Sequence, residues 1–209
     1  MIAKTTLLIT ALTLSACSTP WKTTSPSQTA LDQILISTAA DRAASALVSN
    51  YDDHAHVEQN LGRTFIDSKN ISSSNSDRQY ALNAIRRSFS DANFVLVDDP
   101  KEADIIAEVG IGALSTDSAS SLLGFPSMSL PIPLVGTVKT PEISILKKES
   151  DRGLAKFSIS LRDKRTGKSR GKSFCSLGSA RVNHWTVLLV FEFTTNDLQL
   201  PDYYDSISE

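Results

Sequence analysis

The chain has 209 residues, 41% of them hydrophobic and 21% charged, with a formal net charge of -2. That composition is globular, and the chain is long enough for one domain of ordinary size with a real core. The weakly acidic balance argues against a dedicated nucleic-acid binder.

The N-terminus is the most specific stretch. Met1-Ile2-Ala3-Lys4 carries one positive charge, and Thr5 to Ala16 is an uncharged run holding Leu7, Leu8, Ile9, Leu12 and Leu14. A membrane span needs about 20 apolar residues, so this shorter run reads as an export signal. Leu14-Ser15-Ala16-Cys17 resembles the bacterial lipobox. The resemblance implies that Cys17 is lipidated on its thiol and becomes the first residue of the mature chain. It also implies multiple acylation, which holds a protein durably on a membrane. Ser18, rather than Asp, follows the cysteine. By resemblance to sorting patterns in diderm bacteria, this implies the outer membrane, with the domain facing the periplasm. Cys17 and Cys175 are the two cysteines. With Cys17 lipidated, no intramolecular disulfide is expected, and Cys175 reads as a small buried hydrophobe.

The organisation expected is a signal peptide over 1–16, a Ser/Thr/Pro-rich tether over 17–29, a single α/β domain over 30–196 and an acidic tail over 197–209. Trp21 is the tether's one large apolar residue and either rests at the membrane interface or docks on the domain. The first helix is expected over Gln28 to Ser49, because Leu31, Ile34, Leu35, Thr38, Ala39, Ala43, Ala46 and Leu47 recur three and four apart. Ser27 is its expected cap and Asn50 to Asp53 its stop. A short strand follows at Arg63 to Ile66. A second helix spans about Asp77 to Ser90, with Tyr80, Ala81, Ala84, Ile85, Ser88 and Phe89 on one side. Phe94 to Val97 reads as a buried strand, and Pro100 to Ala103 as a short helix. Asp104 to Leu114 reads as a strand in which Gly110 and Gly112 mark a bulge or a close backbone approach.

Few residues carry a chemical signal. His54 and His56 would share one face of a strand and could hold a metal together. The spacing fixes no third ligand, so this segment reads as a polar loop leading into a strand. Gly110-Ile111-Gly112 lacks a Walker or dinucleotide pattern. No metal, no cofactor and no catalytic residue is assigned. Ser118 to Val138 carries no charge. It reads either as a long apolar loop folded across a sheet face, or as an exposed patch for a partner subunit or the membrane. Its candidate partner contacts are Leu122, Leu123, Phe125, Met128, Leu130, Ile132 and Leu134.

The remainder reads as β structure. Glu142 to Leu146 leads a strand, and Ala155, Phe157, Ile159 and Leu161 alternate with polar residues in the next. Asp163 to Lys168 turns the chain, with Gly167 late in the turn. Arg162, Lys164, Arg165, Lys168, Arg170 and Lys172 make it basic, as a solvated hairpin or a face toward anionic lipid. Thr186 to Phe193 reads as one continuous strand. The fold class is α/β (α+β): a mixed or antiparallel sheet, two main helices on one face, and a β-rich C-terminal half.

The Val97-Asp98-Asp99 strand exit, the Ala103-Asp104-Ile105-Ile106 entry and Leu161-Arg162-Asp163-Lys164-Arg165-Thr166-Gly167-Lys168 distantly resemble the periplasmic domain of curli-secretion-channel-like lipoproteins. Ser37-Thr38-Ala39-Ala40-Asp41-Arg42-Ala43, Leu123-Gly124-Phe125-Pro126, Pro131-Ile132-Pro133 and Thr140-Pro141-Glu142 look like a family of uncharacterised bacterial lipoproteins. That resemblance implies no activity. The curli-channel relatives insert paired hairpins, whereas Ser118 to Val138 holds three prolines and no second apolar arm, so a pore is not expected. The leading functional expectation is a non-enzymatic, lipid-anchored envelope protein that docks on a partner protein or complex. The alternatives are an oligomeric subunit of a secretion or curli-like export assembly, and a periplasmic hydrolase. The expected partners are the membrane through the lipid, and an envelope protein or a second copy.

Overall fold

The computed structural model describes residues 21–23, 29–54, 62–69, 71, 76–132 and 136–198. The elements are β1 (Trp21–Thr23), α1 (Ala30–His54), β2 (Arg63–Asp67), α2 (Ser76–Asp91), β3 (Val95–Val97), β4 (Ile105–Phe125), β5 (Ser129–Ile132), β6 (Gly136–Lys139), β7 (Ile143–Asp163), β8 (Phe174–Val187) and β9 (Phe191–Asn196). Two helices packed on a mixed, β-rich sheet is the expected fold class. Contacts gather into two units. Among the described residues, the strand unit holds those of 21–23, 117–151 and 182–196, and the helix-bearing unit those of 29–116, 152–181 and 197–198. The long strands β4, β7 and β8 each contribute to both.

In the helix-bearing unit the strand order is β3-β2-β4-β7-β8. The β2 strand is parallel to both β3 and β4. The core is the face that meets α1: Leu35, Ile36, Ala39, Ala40, Ala43, Leu47, Ala155, Phe157 and Ile159 are all buried. Small residues set the spacing. A Cβ on Gly178 would lie 2.0 Å from the Ala39 carbonyl oxygen, and one on Gly153 would lie 2.3 Å from that of Leu35. The helix therefore rests backbone to backbone on β7 and β8.

Arg42 fastens this packing. It donates 2.5 Å to the Ser179 carbonyl, also donates to the Asp197 carbonyl, and pairs with the Asp197 carboxylate at 3.3 Å. The neighbouring Asp41 faces α2, accepting from the Tyr80 hydroxyl at 2.8 Å and from Arg87 at 2.9 Å. Burial and then the Asp41 hydrogen bond hold the Tyr80 phenol above its ordinary 10.0. Asp41 and Arg42 thus tie α1 to two different neighbours.

Several boundaries differ from expectation. Thr29 caps α1: its hydroxyl accepts from the Asp32 amide at 3.2 Å, and the Asp32 carboxylate accepts from the Thr29 amide at 2.9 Å. This is a reciprocal capping box one turn before the apolar stripe. The expected cap, Ser27, lies outside the described residues. The helix runs through the expected stop to His54. At the end of α2, Asn93 takes φ +63°, while the Phe94 amide reaches the Phe89 carbonyl at 3.0 Å. That left-handed close packs Phe94 on Phe89, with ring centroids 4.7 Å apart. The β3 strand is not buried, since Val95 is exposed. It is the end strand of the order, where one face and one edge stay open. The residues after Pro100 form a turn rather than a helix, with the Glu102 amide bonded to the Asp99 carbonyl.

Asp104 opens β4 by accepting from the Arg63 amide at 2.9 Å, and this bond holds its carboxyl below the ordinary 3.8. The Asp163 carboxylate accepts from the Thr166 amide at 2.8 Å, and Gly167 takes φ +68°. The Ala-Asp pattern is thus explained by a bond between the starts of β2 and β4, and the Asp-x-x-Thr-Gly pattern by turn chemistry. The basic residues around that turn are largely exposed. Arg162 pairs with Glu108 at 2.7 Å, and Lys164 donates to the Lys101 carbonyl.

Candidate docking surface

In the strand unit the order is β4-β7-β8-β9, with β1 antiparallel on β4. The β8 and β9 strands pair from Val182–Asn196 to Val187–Phe191. One end of this unit breaks the usual rule of a half-buried strand. At the start of β7, Ile143 and Ile145 are exposed while Ser144 between them is buried. Leu123 and Phe125 at the end of β4 are exposed as well. The β5–β6 ribbon adds exposed Met128, Leu130 and Val138, and closes where the Thr140 amide donates to the Met128 carbonyl at 2.8 Å.

The sharpest feature is the turn between β8 and β9. The Val190 amide donates to the Val187 carbonyl at 3.3 Å, and the two central residues, Leu188 and Leu189, take φ +50° and +68°. A turn with two positive-φ residues normally uses Asn-Gly, because the Cβ of other L-residues crowds the backbone there. The left-handed region costs an L-residue about 1–2 kcal/mol. Here both positions hold leucine, 59% and 53% exposed, followed by exposed Val190 and Phe191. The Leu188 amide donates to the Ile145 carbonyl at 2.9 Å, so the turn sits beside the exposed isoleucines of β7.

A polar band bounds this end. Lys147 pairs with Glu149 at 3.0 Å and Glu142 at 3.2 Å, and the Glu149 hydrogen bond is the main cause holding its ammonium above the ordinary 10.5. Lys148 sits 4.9 Å from the Trp185 ring centroid, and Trp185 stacks on Phe193 at 6.1 Å. Side chains two apart share a strand face. The face of Ile143 and Ile145 therefore continues into Lys147 and Glu149.

The expected loop over Ser118 to Val138 is corrected: its first part completes β4, and the rest includes the β5–β6 ribbon. Prolines do not prevent this, because Pro131 lies in a two-stranded ribbon with an open edge. The sheet neighbours of this part of β4 come from outside the stretch, with β7 beside β4 and the β8–β9 hairpin beside β7. Among the candidate contacts, Leu123, Phe125, Met128 and Leu130 are exposed, whereas Leu122 is buried and drops out of the surface. The backbone of Ile132 pairs with Gly136. Leu134 lies outside the described residues, as does Cys17. The reading of Thr186 to Phe193 as one strand missed the turn at Leu188, because Val-Leu-Leu-Val holds no Gly, Asn, Asp or Pro to announce one.

The other polar and reactive side chains find structural roles. Cys175 is exposed, not buried. Its neighbours Ser176, Gly178 and Ala180 take the inward positions instead, and at Gly178 α1 lies too close for any side chain. His54 closes α1 rather than standing in a polar loop, and His56 lies outside the described residues. His184 is exposed, with its Nδ1 3.0 Å from the Thr194 hydroxyl. Asp98 pairs with Arg86 at 3.1 Å, and Asp99 accepts from the Lys101 amide in its turn. Gly110 lies in a strand, where a Cβ would meet the Ser158 hydroxyl at 2.7 Å, so close approach explains it. Among the described residues, no group of three His, Cys, Asp or Glu side chains could hold a metal ion, and no helix is long and apolar enough to cross a membrane. The second finding says nothing of spanning strands.

No curated protein and no solved structure matches the chain. One family model, described as "Family of unknown function (DUF6655)", matches residues 11–193. That span covers most of the chain, and the protein belongs to this family.

Proposed function

We propose that this is a non-enzymatic, lipid-anchored protein of the cell envelope, held in the outer membrane at Cys17 and facing the periplasm, which works by docking through the apolar end of its strand unit. The anchor rests on the lipobox-like Leu14-Ser15-Ala16-Cys17 and on the likeness to uncharacterised bacterial lipoproteins. The observation that carries the docking role is the row of large apolar side chains left in water, with a serine turned inward between two isoleucines. A contiguous exposed patch of this kind ordinarily marks an interaction site. Fatty-acid labelling followed by membrane fractionation tests the anchor. Label is expected in the wild type and absent from Cys17→Ala, and an unlabelled wild type refutes it. Photo-crosslinkers at Phe125 and Leu130 test the docking surface, which is refuted if neither captures protein or lipid in intact cells.

One observation favours a second reading, an oligomeric subunit of an export assembly distantly like the curli channel. The β9 strand ends the sheet order, and all of its residues are exposed. Such an edge offers unpaired backbone groups to a second copy. Native mass spectrometry after mild detergent extraction separates the readings: a ring of copies supports the assembly, and a monomer excludes it.

A further inference from the structure

We infer that the occupant of the apolar end is the lipid bilayer itself: the Leu188–Val190 turn and the exposed ends of β4 and β7 dip into the same leaflet that receives the Cys17 lipid. The inference deepens the docking reading, and its anchor half rests on the lipidation of Cys17.

Chain length comes first. Cys17 is four residues from Trp21, a reach of at most about 14 Å. Trp21 pairs with Ala119 and Thr23 with Asp117, so Trp21 is the β1 residue nearest the Leu123–Phe125 end of β4. From Ala119 to Leu123 is about 13 Å of strand. A lipid on Cys17 and the apolar end can therefore meet one membrane surface.

Turn chemistry comes second. Two exposed leucines occupy left-handed positions that water-facing hairpins give to Asn and Gly. An apolar medium over the turn supplies a reason for leucine that water does not.

Depth decides between dipping and spanning. A strand that crosses a bilayer needs about 9–11 residues with an unbroken apolar outer face. On β7 that face holds Ile143 and Ile145 before Lys147 and Glu149 intervene, and the Lys147 ammonium also reaches back past the isoleucines to pair with Glu142. Two outward residues cover about 7 Å of strand. That matches the roughly 5–10 Å burial of interfacial elements and falls far short of a span. The polar band then lies where the headgroups would be, with Trp185 stacked on Phe193 and Lys148 against its ring, and such aromatic and basic residues favour that level.

The test uses Cys17→Ala protein that begins at residue 17, so that neither the lipid nor the apolar run from Thr5 to Ala16 can hold it on a membrane. It is floated with vesicles of phosphatidylethanolamine and phosphatidylglycerol, beside the same protein carrying Leu188→Asn and Leu189→Gly. Those two changes give the turn its favoured residues, so the variant keeps its fold, which circular dichroism checks. Cys17→Ala protein is expected to float with the vesicles, and the turn variant to lose binding by at least about tenfold, given the methylenes removed from the bilayer. Folded Cys17→Ala protein that stays in the soluble layer overturns the bilayer contact. Oligomers that the turn variant converts to monomers, without vesicle binding, overturn it in favour of a second copy. The mass of the Cys17 peptide from wild-type membranes is read separately, and an unmodified thiol overturns the anchor half alone.

Discussion

Replacing Gly178 by alanine probes how α1 sits on the sheet. The new Cβ would lie 2.0 Å from the Ala39 carbonyl oxygen, 2.5 Å from the Ala43 nitrogen and 3.0 Å from the Ala43 Cα. All three are backbone atoms of one helix, so no side chain can rotate away. The helix must retreat by about 1 Å to restore even the tightest normal contact, which opens the interface that buries Leu35, Ala39, Ala43 and Leu47. Overpacking of a well-filled core costs about 1–3 kcal/mol, and the rigid backbone on both sides puts this case at the upper end. For a chain of this size, that lowers Tm by about 5–10 °C. The assay is urea and thermal unfolding of Cys17→Ala protein followed by the helical circular dichroism band, since both long helices belong to the unit being perturbed. Gly112→Ala is the internal control: its Cβ meets nothing nearer than 3.6 Å and its φ is ordinary, so it should be neutral or mildly stabilising. Gly153→Ala should act like Gly178→Ala. Because one retreat of α1 relieves both clashes, the double variant should cost less than the sum. A Gly178→Ala change within about 0.5 kcal/mol of wild type, the size of ordinary surface effects, would refute the backbone-to-backbone packing.

Arg42→Ala should cost about 1–3 kcal/mol in the same unfolding assay, because it strips charged hydrogen bonds from Ser179 and Asp197. Arg42→Lys should recover little of this, as one ammonium cannot replace the forked guanidinium. Cys175 should react with a maleimide in folded Cys17→Ala protein, and a thiol that labels only after denaturation would refute its exposure. Asp104 and Asp163 have carboxyls held below 3.8 by the Arg63 and Thr166 amides. Their stabilisation is complete above 3.8 and lost as pH falls through their lower folded values. Asp104→Asn/Asp163→Asn should therefore differ most from wild type near neutral pH, and the gap should close in acid. A gap that widens on acidification would refute the assignment.

The helices were legible because their signal is local. Leu35, Ala39, Ala43 and Leu47 repeat at helical spacing, and each is buried. The sheet was legible where both faces behave ordinarily, as in Ala155, Phe157, Ile159 and Leu161. It was misleading in β8, where polarity runs backwards: Cys175 and Leu177 face out, while Ser176, Gly178 and Ala180 face in. The cause is tertiary. At Gly178 the inward residue is limited in size by the α1 backbone, and hydrophobicity does not report size. The resemblance motifs were legible as sequence but not as chemistry. Asp104 and Asp163 could have been site acids, and only the structure shows each accepting from a backbone amide, Asp104 across to β2 and Asp163 within its turn.

The candidate surface was half legible for a different reason. An uncharged stretch is visible in a sequence, but its exposure is not, so Leu122 and Leu123 looked alike although one is buried and the other is not. The more informative miss is the turn at Leu188 and Leu189. Turn signals read a sequence for residues that suit water and positive φ, and this turn satisfies neither condition. Natural sequences agree with their folds at nearly every level, and they break a local rule chiefly where function requires it. In this strand unit the broken rules fall together. Branched residues at positive φ, isoleucines outside a buried serine, and the bond from the Leu188 amide to the Ile145 carbonyl all lie at one end. A core under selection for stability alone would have placed Asn-Gly in that turn and turned Ile143 and Ile145 inward. That it does neither makes the hairpin turn, which no sequence pattern announced, the observation on which the proposed bilayer contact most depends.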